Sequence, residues 1–436
     1  MFRYLALVAL FSPGFVLSTT TCSASSHCPK DTPCCSTYGE CGVGAYCLGG
    51  CDPTMSYSLD SCMPAPVCEN RYLTMDSLDR VADISDYLGN SSEADWMSSG
   101  EPVLYKGNTL LTMPADSSGT VLSSTVYMWY GNVKARFKTS RGAGVVTAFI
   151  LFSDVKDEID FEFIGVDLET AQTNYFFQGI TTYPTHEVNL TMSDSFNNFH
   201  DYEIHWTPDY VEWYIDGTLG NTLYKNETWN ETTQNFDFPQ TPARVQLSIW
   251  PGGLSTNAAG TIAWAGGEID WDSEDIENYG YYFATFSEVT MECYNTTTAP
   301  GTHSGKSYTY NSSKGTNDTV VDGNEGTILS SFQATGLNPK KGAKSSSKSN
   351  TVPGSSSSGN DHSDESDSDT DASASSSSSS SADETADVTS CKATSFHQDC
   401  ASSSSSSGSS QSGGTVIRTS ASTLPLVIAG CALLWL

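Results

Sequence analysis

Between about Arg71 and Tyr294 the chain alternates apolar and polar residues with a period of two, in one short segment after another. Lys134 to Lys138, Val145 to Leu151, Glu158 to Phe163, Tyr202 to Trp206, Val211 to Ile215 and Val245 to Ile249 all read this way. Successive side chains of an extended strand point to opposite faces, so each segment predicts a strand with one face in a core. Gly, Asn and Asp punctuate the segments, and long helical periodicity is scarce. This density of short strands predicts an all-β domain, a β-jelly-roll sandwich, over residues 70–295. One hairpin can be placed from local chemistry. Tyr202, Ile204 and Trp206 share a face and Pro208-Asp209 turns the chain. Val211, Trp213 and Ile215 then share the next face before Asp216-Gly217 turns it again.

The run Asp157-Glu158-Ile159-Asp160-Phe161-Glu162-Phe163 breaks the rule that strand charges face water. Glu158, Asp160 and Glu162 are spaced i, i+2, i+4, so an extended chain sets all three on one face, opposite Ile159, Phe161 and Phe163. If the apolar residues hold the core, the acids lie in a groove, where mutual repulsion and desolvation raise at least one pKa. Retaining glycoside chemistry requires such a pair. One carboxylate attacks the anomeric carbon, another protonates the leaving oxygen, and the two lie about 5 to 5.5 Å apart. Side chains two residues apart on one face are separated by roughly 6.8 Å. Glu158 and Glu162 therefore start at about twice that and must lean together across a twisted strand. No glycine-punctuated loop of the kind that binds calcium accompanies them.

The ends of the chain are not core material. Residues 1–18 carry Arg3, an apolar stretch and small residues at the end, the layout of a secretory signal peptide. Residues 413–436 end in the apolar run Leu424 to Leu436 behind a polar spacer and the small residues Ser412, Gly413 and Gly414. This matches a GPI-anchor signal that would be removed, leaving a lipid near Ser412 or Gly413. Residues 296–412 are read as a Ser/Thr-rich acidic stalk, too poor in apolar surface to offset its conformational entropy. The net charge of −31 is partly local to its Asp361 to Asp371 run. Acidity of this kind argues against nucleic-acid binding. Sequons at Asn90, Asn189, Asn226, Asn230, Asn295, Asn311 and Asn317 fit secretion.

Nine of the thirteen cysteines fall between Cys22 and Cys68, a span too short to fold on a core alone and expected to be stapled by disulfides. It contains Cys34-Cys35-Ser36-Thr37-Tyr38-Gly39-Glu40-Cys41-Gly42 followed by Tyr46-Cys47. This resembles the hevein-type chitin-binding module. The resemblance implies that Ser36, Tyr38 and Tyr46 contact sugar, and that Cys22 pairs with Cys35, Cys28 with Cys41 and Cys34 with Cys47. Glu40 stands where that family usually carries a further aromatic, and a carboxylate offers a sugar ring no flat face.

Glu158-Ile159-Asp160-Phe161-Glu162 also resembles the Glu-x-Asp-x-Glu signature of glycoside hydrolase family 16, whose members are jelly rolls. Trp206-Thr207-Pro208 and Tyr214-Ile215-Asp216-Gly217 are similar to the hairpin that follows in that family. The order of parts resembles fungal Crh-type cell-wall transglycosylases. So do Asn174-Tyr175-Phe176-Phe177-Gln178-Gly179 and the stretch from Trp250-Pro251-Gly252-Gly253 to Trp264-Ala265-Gly266-Gly267. The resemblance implies Glu158 as nucleophile, Asp160 as its assisting acid and Glu162 as general acid/base. It places Glu162, Gln246, Trp250, Thr261 and Trp264 along the sugar groove, although a basic residue is common in the family at the position of Gln246. The implied reaction cleaves chitin and passes it to a β-glucan acceptor in the cell wall, at the outer face of a membrane. No cofactor and no metal is expected. The residues leave open whether an acceptor sugar or water resolves the covalent intermediate, and a non-catalytic wall adhesin would keep the same module.

Overall fold

The computed structural model describes residues 20–180 and 186–343. The expected signal peptide and anchor signal, and the acidic run from Asp361, lie outside the described residues. No helix among the described residues is long and apolar enough to cross a membrane.

Two eight-stranded sheets carry the fold. In chain order their strands are β1 (Arg71–Thr74), β2 (Val81–Asp83), β3 (Trp96–Ser99), β4 (Pro102–Tyr105), β5 (Asn108–Pro114), β6 (Thr120–Ser124), β7 (Gly131–Lys138) and β8 (Val145–Ser153). Then follow β9 (Glu158–Ile164), β10 (Thr170–Phe176), β11 (Val188–Thr191), β12 (His200–Trp206), β13 (Tyr210–Ile215), β14 (Thr218–Tyr224), β15 (Ala243–Pro251) and β16 (Tyr281–Cys293). The first sheet runs β14-β13-β12-β7-β16-β5-β4, with β1 also on β16, and the second runs β11-β10-β9-β8-β15-β6-β3-β2. All six segments read from alternation are strands, and the sandwich expected from them is what forms.

The core lies between the sheets. Phe137, Tyr202, Ile204, Trp206 and Trp213 of the first meet Phe149, Phe161, Phe163, Val245 and Leu247 of the second. Phe137 packs edge-on to Phe163 at 5.4 Å and Phe163 edge-on to Tyr202 at 4.7 Å, arrangements that add to the burial of apolar area. The predicted hairpin is in register, with Ile204 opposite Trp213 and Trp206 opposite Val211. At the next turn Asp216 and Gly217 both take positive φ (51° and 74°), the backbone that a two-residue hairpin turn needs and that Asp-Gly adopts at low cost.

β8 departs from simple alternation: all nine of its residues are buried. One face meets the other sheet, while Val146, Ala148, Ile150 and Phe152 on the other face form a second cluster with Trp250 and Ala265. A strand covered on both sides is the expected site of a groove, since something must lie over its outer face.

One expectation changes. Residues 296–343 do not begin a stalk: they add β17 (Ser307–Tyr310) and β18 (Val320–Gly323), which form a three-stranded sheet with Ala65–Pro66. Tyr308 is buried and packs edge-on to Trp129 at 5.7 Å, so enough apolar surface is present here to order the chain. The fold therefore runs past residue 296, where a high Ser and Thr content conceals those few aromatics. The disulfide module packs against the sandwich. Its three pairings Cys22–Cys35, Cys28–Cys41 and Cys34–Cys47 form, joined by Cys51–Cys62. Its Tyr46, Leu48 and Met63 share one apolar cluster with Tyr87 and Met97 of the sandwich and with Leu329 and Ala334.

A fifth disulfide, Cys68–Cys293, ties the base of the module to the end of β16 across 225 residues of sequence. Closing so long a loop removes much entropy from the unfolded chain. Cys68→Ser with Cys293→Ser should lower unfolding stability by about 2 to 5 kcal/mol, read as the midpoint of a denaturant titration. An unchanged midpoint would mean that the packed segment 296–343 already supplies that constraint.

Candidate active site

β9 holds the three acids as its alternation requires. Ile159, Phe161 and Phe163 are buried in the core, and Glu158 and Asp160 are buried on the opposite side, with 7% and 1% of their surface exposed. The strand is pinned from both sheets. Trp213 Nε1 donates to the Asp160 carbonyl at 3.0 Å from across the core. The carboxylate of Asp157, just before the strand, accepts from the backbone N–H groups of Gln178, Gln240 and Thr241 at 2.9 to 3.1 Å, and from Thr241 Oγ1 at 2.7 Å. Asp157 belongs to the acidic run in sequence, but its bonds make it an anchor of the backbone and not a group facing the groove.

Register across the sheet sets the neighbours of each acid. Glu158 stands opposite Phe152 and Phe176, Asp160 opposite Ile150 and Asn174, and Glu162 opposite Ala148 and Gln172. One strand further, Phe152, Ile150, Ala148 and Val146 pair with Arg244, Gln246, Ser248 and Trp250. Paired residues of antiparallel strands point to the same face. The outer face of the sheet therefore carries acids, then an apolar strip, then a polar row ending in tryptophan.

Burial raises the proton affinity of all three acids, and their neighbours separate them. Glu158 is pushed up to about 7 by loss of water, but a hydrogen bond from Asp160 favours its ionised form. Asp160 is held well above the usual carboxylate range by burial and by the charges of Glu158 and Glu162. Glu162 rises to about 8 through burial, the charge of Glu158 and that of Glu187. Both Asp160 oxygens and Glu162 Oε1 are buried without an N–H or hydroxyl donor among the described residues. A proton on Asp160 resolves the first case, because the group facing it is the Glu158 carboxylate. A protonated Asp160 thus favours the ionised form of Glu158, while the charges of Glu158 and Glu187 favour the protonated form of Glu162.

The family described as glycosyl hydrolases family 16 matches residues 90–266. Crh-like protein 3 of Botryotinia fuckeliana is 63% identical over 321 residues, covering 74% of this chain and 72% of that protein. The chain is a Crh-like member of glycosyl hydrolases family 16. Crh-like protein 2 of Aspergillus fumigatus is 51% identical, covering 76% of this chain and 77% of its own. Among solved structures, one described as Crh5 transglycosylase in complex with NAG superposes with a TM-score of 0.50 at 28% identity, over 62% of this chain and 99% of that one. This is accordingly a family 16 transglycosylase.

The remaining predicted residues of this family 16 enzyme fall around the same face. Trp250 is buried and stacks on half-buried Trp264 at 5.9 Å. Trp264 Nε1 in turn donates to Gln172 Oε1 at 2.8 Å, beside Glu162 in register. Thr261 is buried in the short helix α1 (Ala259–Trp264) that follows β15. Gln246 is half-buried, and the nearest basic residue on its face is Arg244, two positions earlier in β15. Ser36, Tyr38 and Tyr46 do not project into solvent from the module. Ser36 and Tyr46 are buried, and all three line one cavity with Arg244 and Gln246. Arg244, Gln172 and Asn174 were not singled out from the sequence; i, i+2 spacing from Gln246 and Ser248 was the signal available for Arg244.

The raised acids have a consequence for stability. Their unfolded pKa is that of ordinary carboxylates and their folded pKa is higher, so the unfolded chain releases these protons first as pH rises. Stability therefore falls from about pH 4.5, the ordinary glutamate value, up to the folded values of about 7 and 8. Glu162→Gln should melt several degrees above wild type at about pH 8 and level with it at about pH 4 by calorimetry. Equal melting at both would mean that Glu162 is not desolvated.

Proposed function

We propose that this enzyme cleaves chitin with retention and passes the glycosyl group to β-glucan, cross-linking polysaccharides of a fungal cell wall. The observation that carries the reading is the geometry of β9, which sets Glu158, Asp160 and Glu162 on one strand face, with Glu158 and Asp160 buried and Glu162 half-buried. The ionised Glu158 attacks the anomeric carbon while Glu162 gives its proton to the leaving oxygen, forming a glycosyl ester on Glu158. Asp160, protonated, donates to Glu158 and spares it a second negative neighbour. In the second half Glu162, now ionised, takes the proton of the acceptor hydroxyl. The freed oxygen then attacks the anomeric carbon and releases Glu158.

Several neighbours support a sugar chain along this face. Ser248 Oγ and Trp250 Nε1 are buried with no partner among the described residues, so sugar oxygens would satisfy them. The Trp250–Trp264 stack closes the row, Thr261 is buried in the helix that carries Trp264, and Gln246 lies four residues before Trp250 on β15. The NAG in the Crh5 complex supports an N-acetylglucosamine donor. Five disulfides among the described residues favour an oxidising, extracellular setting. The terminal signals support secretion and a GPI lipid at the membrane's outer face.

The test is to incubate the secreted chain with chitin oligomers and a fluorescent laminarin-type acceptor, wild type beside Glu158→Gln and Glu162→Gln. Label should enter hybrid polymer with wild type alone, and each variant should lose about a thousandfold or more in rate. Reducing ends without hybrids would make the enzyme a hydrolase, and activity retained in both variants would overturn the site. The kcat/KM of wild type should fall below about pH 7, as Glu158 is protonated, and above about pH 8, as Glu162 ionises. A profile flat across that range would remove both glutamates from the proton transfers.

A further inference from the structure

The module face carrying Ser36, Tyr38 and Tyr46 is turned onto the second sheet, over β15, β6 and β3. Together they bound one cavity. The seating is built from specific bonds. The Gly50 N–H donates to Asp154 Oδ1 at 2.8 Å, and the Tyr127 hydroxyl donates to the same oxygen at 2.7 Å. Arg244 lies so close to Gly49 and Gly50 that an added Cβ would stand 2.6 and 3.0 Å from its guanidinium nitrogens. These glycines let a cation of the catalytic sheet reach under the module.

The cavity wall has a definite chemistry. Tyr38 and Phe152 offer ring faces, Met97 and Val121 offer apolar contact, and Gln246 offers an amide. Arg244 is 6% exposed, and its Nε has no acceptor among the described residues. A buried N–H without an acceptor is unfavourable, and a bound oxygen would relieve it. An N-acetylhexosamine meets each requirement: its ring for Tyr38, its acetamido methyl for Met97 and Val121, and its acetamido oxygen for Arg244. A glucose unit brings no methyl and leaves the apolar wall uncovered. β15 lies two strands from β9, roughly 10 Å across the sheet, close enough for the cavity to hold part of the chain bound at Glu158.

The geometry points to a composite subsite in which Tyr38 of the module, with Arg244 and Gln246 of the sheet, holds an N-acetylhexosamine unit of the substrate chain. The module then works as a wall of the groove that sets donor identity and length, and not as an independent tether. This rests on the proposed reaction for the identity of the substrate alone.

The test uses binding, not turnover, so the two can fail separately. The full secreted chain carrying Glu158→Gln is titrated calorimetrically with N-acetylglucosamine oligomers and glucose oligomers of increasing length. Affinity for N-acetylglucosamine oligomers should step up once they are long enough to reach the cavity. Tyr38→Ala should remove the step, about tenfold in Kd, leave shorter oligomers unaffected, and be rescued by Tyr38→Phe. Ser99→Phe, which fills the cavity from the sheet side, should do the same and serves if Tyr38→Ala fails to fold. A step that survives both substitutions, a loss equal at every length, or the same step with glucose oligomers would overturn the subsite. Loss of chitin transfer by wild type with the step intact would sink the proposed reaction and leave the subsite standing.

Discussion

Everything at this site depends on one constraint, that a β-strand must send alternate side chains to opposite faces. Phe161 and Phe163 are fully committed to the core, and that commitment holds Glu158, Asp160 and Glu162 out of it on the other side. Slipping β9 by one residue would bury three carboxylates between the sheets and expose three large apolar groups, so the register is strongly specified. The same strand thus supplies core packing and the row of acids, and neither can be altered without the other.

Holding three acids together away from water is unfavourable, and the surrounding structure shows how it is sustained. Trp213 bonds the backbone of Asp160 from the opposite sheet, and Asp157 gathers four donors at the foot of the strand. With the backbone so fixed, the acids cannot move apart and instead differ in how tightly they hold protons. A proton on Asp160 favours the ionised form of Glu158, while burial and neighbouring charge raise the proton affinity of Glu162. Electrostatic strain of this kind is common where a site must present an acid and a base together.

The second determinant is what covers the outer face. β8 is buried on both sides, and beyond it the disulfide module closes over β15 and its neighbours. Its cysteines staple a span too small for a core of its own, yet the module also borrows Tyr87, Met97, Leu329 and Ala334 from the rest of the chain. A unit with that much shared apolar surface is a fixed part of the fold. Glu40, the departure from the hevein pattern, fits this position: its carboxylate bonds the hydroxyl of Tyr46, which is buried at the junction.

Local patterning determined the strands, the all-β class, the hairpin at Asp216-Gly217 and the shared face of the three acids, because period-two alternation and turn chemistry act between near neighbours. Resemblance of short motifs supplied the three module disulfides and the family. Tertiary structure alone decided which partners meet across the sheets. Arg244 beside Gly50, Gln172 on Trp264 and Trp213 on Asp160 join residues 53 to 194 positions apart, and no periodicity encodes such distances. It also decided that residues 296–343 fold back onto the sandwich, where a few buried aromatics outweigh a polar composition. The raised proton affinities of Glu158, Asp160 and Glu162 belong to the same level, since they arise from burial and proximity that exist only once the sheets have closed.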